Sequence, residues 1–145
     1  MKKLIKVVST VVALILVIAF GITTYQCYTK QKEIDSIFVH NYQEFVYNVR
    51  NMTVEGIDDN AVNSYKSANA EYSAVMSALL PLTSYKKNVY LDEVIAYFYQ
   101  SSNNISTITF TPELYDKLYE LSENMYSEVV ADEANKMLAE IVQYD

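Results

Sequence analysis

The sequence predicts an all-α protein, an N-terminal transmembrane helix followed by an antiparallel helical bundle of about four helices. Three observations predict it. Residues 7–29 carry no charge. In 145 residues, glycine occurs only at Gly21 and Gly56 and proline only at Pro81 and Pro112, which favours long helices over tightly turned strands. Beyond residue 30 the apolar positions recur at spacings of three and four, one face of a helix, and strand-like alternation is missing.

The uncharged run from Val7 to Thr29 covers about 34 Å at about 1.5 Å per residue, enough for a hydrocarbon core of about 30 Å. Its densest part, Val11 to Ile22, has the length of a signal-peptide core, and Ala19 and Gly21 are spaced like the small residues of a cleavage site. Cleavage after Gly21 is therefore one reading and retention as an anchor the other. The continuous run, with Tyr25 and Tyr28 at the expected interface, favours retention. A lipidated Cys27 is disfavoured, because Tyr25 and Gln26 before it are too bulky for a lipoprotein cleavage site. Lys2, Lys3 and Lys6 put the short flank inside by the positive-inside rule. The expected organisation is a cytoplasmic basic tail at 1–6, a signal-anchor at 7–29, and an extracytoplasmic bundle at 30–145 in a single-pass protein of the cell membrane.

No glycine or proline separates Gly21 from Gly56, so the membrane helix is expected to continue outward. Ile34, Phe38, Phe45, Val49 and Met52 form its apolar face, with Asn41 and Tyr42 in the gap. The stretch VEGIDDN at 54–60 reads as a turn, with Gly56 as a left-handed cap and Asp58, Asp59 or Asn60 as acceptors for the next helix. A second helix, about 61–80, carries Val62, Tyr65, Ala68 or Asn69, Tyr72, Val75 or Met76, and Leu79, until Pro81 ends or kinks it. A third carries Val89, Leu91, Val94, Ile95, Phe98 and Tyr99, and 101–111 is a polar, β-branched connector. Thr111 as cap, Pro112 at the first helical position and Glu113 in the first turn give the strongest helix start. Leu114, Leu118, Leu121, Met125 and Val129 follow on one face, and a slip of the stripe to Ala134, Met137 or Leu138, and Ile141 predicts a bend or a restart near Ala131–Ala134.

The net charge of −7 is uneven, since from Lys30 onward 8 basic residues face 18 acidic ones, a net of −10. Such a domain repels phosphate backbones, so no nucleic acid is expected as partner, and it does not lie flat on anionic lipid. One cysteine forms no internal disulfide, leaving Cys27 as an anchor residue, a palmitoylation site or an intermolecular link. His40 is the sole histidine and has no second ligand at metal-binding spacing. Asp58 with Asp59, and Asp92 with Glu93, point about 100° apart on a helix and make no dyad by themselves; Glu120 and Glu123 share a face that reads as solvated. The run from Asp58 lacks the glycine and glutamate of a calcium loop, and two glycines build no phosphate cradle. Asn51 and Asn104 head glycosylation sequons, but the lysine-rich start looks bacterial. No catalytic residue, metal or cofactor is expected.

Fourteen tyrosines and no tryptophan are the compositional anomaly. Tyrosine offers rigid contact area with a polar tip, so Tyr97 and Tyr99 in AYFYQ form a candidate protein-docking patch; tyrosines bordering a bundle core are the plainer reading.

The order of an N-terminal membrane segment, NYQEF at Asn41–Phe45, LLP at Leu79–Pro81 and TPELYDKLYEL from Thr111 resembles the N-terminal helical region of the YpeB family of bacterial spore-germination proteins. The resemblance implies an anchored, exported helical region that supports a cortex-lytic enzyme by interaction or protection, with no catalytic residue of its own. The expected function is thus a non-enzymatic membrane protein whose exported bundle binds or scaffolds another exported or membrane protein. The alternative is a bundle that senses a small ligand and works with a separate signalling partner, since about six cytoplasmic residues hold no transmitter.

Overall fold

The computed structural model describes residues 2–52, 56–101 and 111–141, with side chains described for 12–52, 56–100 and 111–140. The described chain is all-helical, with five α-helices: α1 (Lys2–Met52), α2 (Asp59–Leu79), α3 (Val89–Ser101), α4 (Pro112–Glu123) and α5 (Glu128–Ile141), plus a 3-10 turn at Leu80–Leu82. It divides into two compact units, Met1–Glu33 and Ile34–Asp145.

In the first unit, the described apolar side chains of α1 stand exposed, Leu14 at 61% and Phe20 at 76% among them. The helix is long and apolar enough to cross a membrane: its most apolar window has a mean hydropathy of 1.7, and none of that window is buried by protein. Thr23, Thr24 and Thr29 donate their hydroxyls to the carbonyls of Ala19, Phe20 and Tyr25 at 3.0, 2.8 and 2.9 Å. That bonding satisfies each hydroxyl within the helix, as a hydrocarbon environment requires. Cys27 is exposed on this unit, and the Lys32 ammonium lies 4.8 Å from the Tyr28 ring centroid.

In the second unit, α1 contributes the centre of the core. Phe38, Tyr42, Phe45, Val46 and Val49 are all buried; Tyr42 rather than Asn41 fills the gap in the stripe, because one more residue at about 100° turns it onto the face of Phe38 and Phe45. Phe98 of α3 stacks on Phe45 at 4.1 Å between centroids and tilts against Tyr42 at 5.6 Å. Gly56 takes φ +78, the left-handed conformation that glycine adopts at no steric cost. Asp58 stands at the N-cap of α2 with its carbonyl accepting from Val62 N–H at 3.0 Å, while its side chain makes no cap bond.

α2 presents a more polar inner face than its stripe predicts. Asn69, Ser73 and Met76 are its buried residues, and Val75 is exposed. Asn48 Nδ2 donates to Asn69 Oδ1 at 3.0 Å, joining α1 to α2 through the core. Pro81 ends α2 as predicted, through the 3-10 turn that Thr83 closes by donating its hydroxyl to Leu80 O at 2.8 Å. α3 buries Leu91, Val94, Ile95 and Phe98 but leaves Val89 and Tyr99 exposed.

α4 begins as expected: Thr111 Oγ1 accepts from Leu114 N–H at 3.2 Å, with Pro112 and Glu113 in the first turn. The last helix does restart, but earlier than the bend or restart predicted at Ala131–Ala134. α4 stops at Glu123, and α5 opens at Glu128 after a turn over 124–127. The reason is local: Asn124 leaves helical geometry at φ −147, ψ 76, and Ser127 caps the new helix, its hydroxyl accepting from Val130 N–H at 3.3 Å. Val129, expected on the core face, is therefore exposed, while Ala131, Ala134 and Leu138 are buried. α3 packs on α2 and α5, and α4 on α5. The connector at 102–110, with the Asn104 sequon, lies outside the described residues, as do Val54 and its neighbours in the first turn.

Candidate functional site

α1 and α4 lie side by side, joined at Tyr42 by a hydrogen bond from its hydroxyl to Leu118 O at 3.2 Å. Beside this contact the two helices form an open groove of about 290 Å³, lined by Gln43, Glu44, Val46 and Tyr47 of α1 and Tyr115, Tyr119 and Ser122 of α4. Helical spacing builds it. Gln43 and Tyr47 are four apart on α1, as are Tyr115 and Tyr119 on α4, so each pair stands on one flank of its apolar stripe.

The buried Val46 forms an apolar floor, while Tyr47 and Tyr119 are 55% and 51% exposed. Tyr115 and Tyr119 stack with centroids 6.3 Å apart, and the Arg50 guanidinium lies 4.9 Å from the Tyr115 centroid. Ser122 spends its hydroxyl on Tyr119 O at 2.7 Å. Ring faces, phenol tips, an amide and a carboxylate around a small apolar floor suit contact with another surface. No acid, base and nucleophile converge there.

The residues singled out from the sequence are dispersed. Tyr97 is half-buried against the core and lines a shallow depression of about 200 Å³ with Glu93, Ala96 and Gln100, whereas Tyr99 is 53% exposed and outside that lining. Positions two apart on a helix face different directions, so the two rings do not share one surface. His40 is exposed on α1. Asp58 and Asp59 are exposed at the start of α2. Glu93 accepts from Asn135 Nδ2, and Glu120 pairs with Lys117 at 2.7 Å, which also reaches Glu133 at 2.8 Å. Those two carboxylates hold the Lys117 ammonium up to about 12. Among the described residues, no three His, Cys, Asp or Glu side chains gather as a metal site would need.

A second polar cluster closes the end of the bundle where the second unit begins. Asp35 accepts from Ser84 N–H at 2.8 Å and from Ser84 Oγ at 2.5 Å, and Ser84 Oγ meets the Tyr126 hydroxyl at 2.6 Å. Tyr85 packs edge-on against Tyr126 at 4.8 Å and tilts against Phe38 at 6.0 Å. Burial first, then the Asp35 charge and Tyr126, raise the Tyr85 phenol above its ordinary value. Asn88 Nδ2 donates to Met125 O at 3.1 Å, fastening the start of α3 to the turn between α4 and α5.

Sequence reading missed the groove of Tyr47, Tyr115 and Tyr119. The signal available was a tyrosine pair at i, i+4 flanking the leucine stripe of α4, but that α1 supplies the facing wall is a tertiary fact. The chain matches no protein-family model, and no curated protein or solved structure is significantly similar to it.

Proposed function

We propose that the chain is a non-enzymatic single-pass protein of a bacterial cell membrane whose exported bundle binds another exported protein at the groove between α1 and α4. In this reading, 1–6 stay in the cytoplasm, 7–29 span the bilayer and 30–145 lie outside. The observation that carries it is the exposure of Tyr47 and Tyr119 around an apolar floor, since rigid amphipathic rings of this kind anchor protein interfaces at low entropic cost. The resemblance to the YpeB family makes an exported cortex-lytic enzyme the first partner to test. A photo-crosslinking residue in place of Tyr47 or Tyr119 in the native cells should give a protein adduct of discrete mass, absent when the same residue replaces exposed Glu71 on α2. Absence of an adduct from both groove positions sinks the proposal. The anchor is tested by mass spectrometry of the mature N-terminus, which should precede Ile22; a chain beginning at Ile22 means that the segment is cleaved.

The groove volume of about 290 Å³ favours one second reading, a site for a small ligand sensed together with a separate signalling partner. A small molecule that raises the melting temperature of the wild-type chain, but not of Tyr119→Ala, would support sensing.

A further inference from the structure

We propose that the end of the bundle formed by Leu82, Lys86, Lys87, Val89, Tyr126 and Val129 rests against the headgroup region of the bilayer that holds the apolar helix. This rests on the membrane-anchor reading above and adds a lipid-facing surface to it. Four apolar or aromatic side chains are exposed there, Leu82 at 56%, Val89 at 61%, Tyr126 at 63% and Val129 at 69%. They come from two stretches far apart in sequence, the α2–α3 connection and the α4–α5 connection. The Asp35–Ser84–Tyr126 bonds and the Asn88–Met125 bond hold those stretches together at one end, so the exposure belongs to a fixed surface.

Two further observations say what covers it. The first is connectivity: Asp35, in that cluster, is six residues from Thr29, and six residues span at most about 20 Å. The second is charge. Lys86 and Lys87, both exposed, are the only adjacent basic pair beyond residue 30, and they stand at this end beside Asp35 and exposed Asp92, Glu123 and Glu128. The opposite end, where α2 and α4 begin, presents exposed Asp58, Asp59 and Glu113. An acidic domain is repelled by anionic lipid, yet the end nearest the tether is where its one adjacent basic pair stands among exposed apolar side chains. Lysine stems beside apolar groups let the ammonium reach phosphate while the methylenes stay among acyl carbons, and an exposed tyrosine suits the same depth. The occupant with that layered chemistry is a bilayer interface.

The test uses the full chain with Cys27→Ser, carrying an environment-sensitive fluorophore on one introduced cysteine at a time: Val89→Cys, Val129→Cys, or Glu113→Cys at the opposite end. Each is reconstituted in vesicles of phosphatidylcholine and phosphatidylglycerol containing lipid nitroxide-labelled near the headgroup, and circular dichroism checks the fold. Quenching should be several-fold stronger at 89 and 129 than at 113. It should weaken at 89 and 129 when Lys86→Glu and Lys87→Glu are added, or when phosphatidylglycerol is omitted. Equal quenching at all three positions in protein that floats with the vesicles overturns the inference and leaves the anchor standing. Failure to float overturns both.

Discussion

Asn69 is fully buried and holds Asn48 Nδ2 at 3.0 Å, with a longer reach of its own amide to Phe45 O at 3.5 Å. A buried donor left without its acceptor carries its whole desolvation cost, so Asn69→Ala should lower stability by about 1–3 kcal/mol in urea unfolding. Replacing both asparagines by leucine should recover much of that loss, since neither then leaves a polar orphan. Tyr42 makes the second residue-scale prediction. Burial holds its phenol well above the ordinary value. As pH rises past about 10, the unfolded chain therefore loses this proton while the folded chain keeps it. The stability conferred is complete below that pH and declines as pH climbs toward the folded value, by up to about 1.4 kcal/mol per pH unit. Tyr42→Phe should flatten this part of the alkaline unfolding profile and cost about 1 kcal/mol at neutral pH, where the bond to Leu118 O is lost.

At the scale of elements, the boundaries marked by proline were the legible ones, Pro81 after α2 and Pro112 at the start of α4. Thr111, Pro112 and Glu113 foretell the start of α4, because each acts on backbone groups within one turn. Ser127 does the same for α5, but it follows Asn124 inside an apolar rhythm that reads continuously through Leu121, Met125 and Val129. Periodicity concealed the break, and only the turn over 124–127 exposes Val129. Ser127→Ala removes the acceptor for Val130 N–H and should cost about 1 kcal/mol, measurable as a lower melting temperature with the fold kept. The stripe of α2 was half legible for a related reason. Apolar pattern predicts Met76 and the neighbourhood of Leu79, but Ser73 is buried because it bonds its own helix, Oγ to Ala70 O at 3.0 Å, a satisfaction that hydropathy does not register.

Across the whole molecule, Phe98 is the point where α1 meets α3, stacked on Phe45 and tilted against Tyr42. Truncating such a ring costs about 3–5 kcal/mol out of a total of about 5–15 for an ordinary domain. Phe98→Ala should therefore leave the bundle largely unfolded or loosely packed by circular dichroism and urea titration, whereas Tyr99→Ala, at an exposed position one residue on, should be close to neutral. The polar clusters play a different part at this scale. Asp35 reaches Ser84 across 49 residues, and Asn88 reaches Met125 across 37, so each selects one arrangement of helices whose apolar stripes would accept others.

Composition and period by themselves determined that the chain is helical, that it has a long apolar helix near its N-terminus, which residues start α4, and which leucines and phenylalanines face inward. These follow from interactions within a turn or two of helix and from the cost of leaving apolar surface wet. Tertiary structure alone decided that Tyr47, Tyr115 and Tyr119 line one groove, that two asparagines pair inside the core, and that Asp35, Ser84 and Tyr126 close one end. Those outcomes depend on which helix lies beside which and in what register. Residues far apart in sequence settle that choice, and a local pattern carries no record of its neighbour across the core.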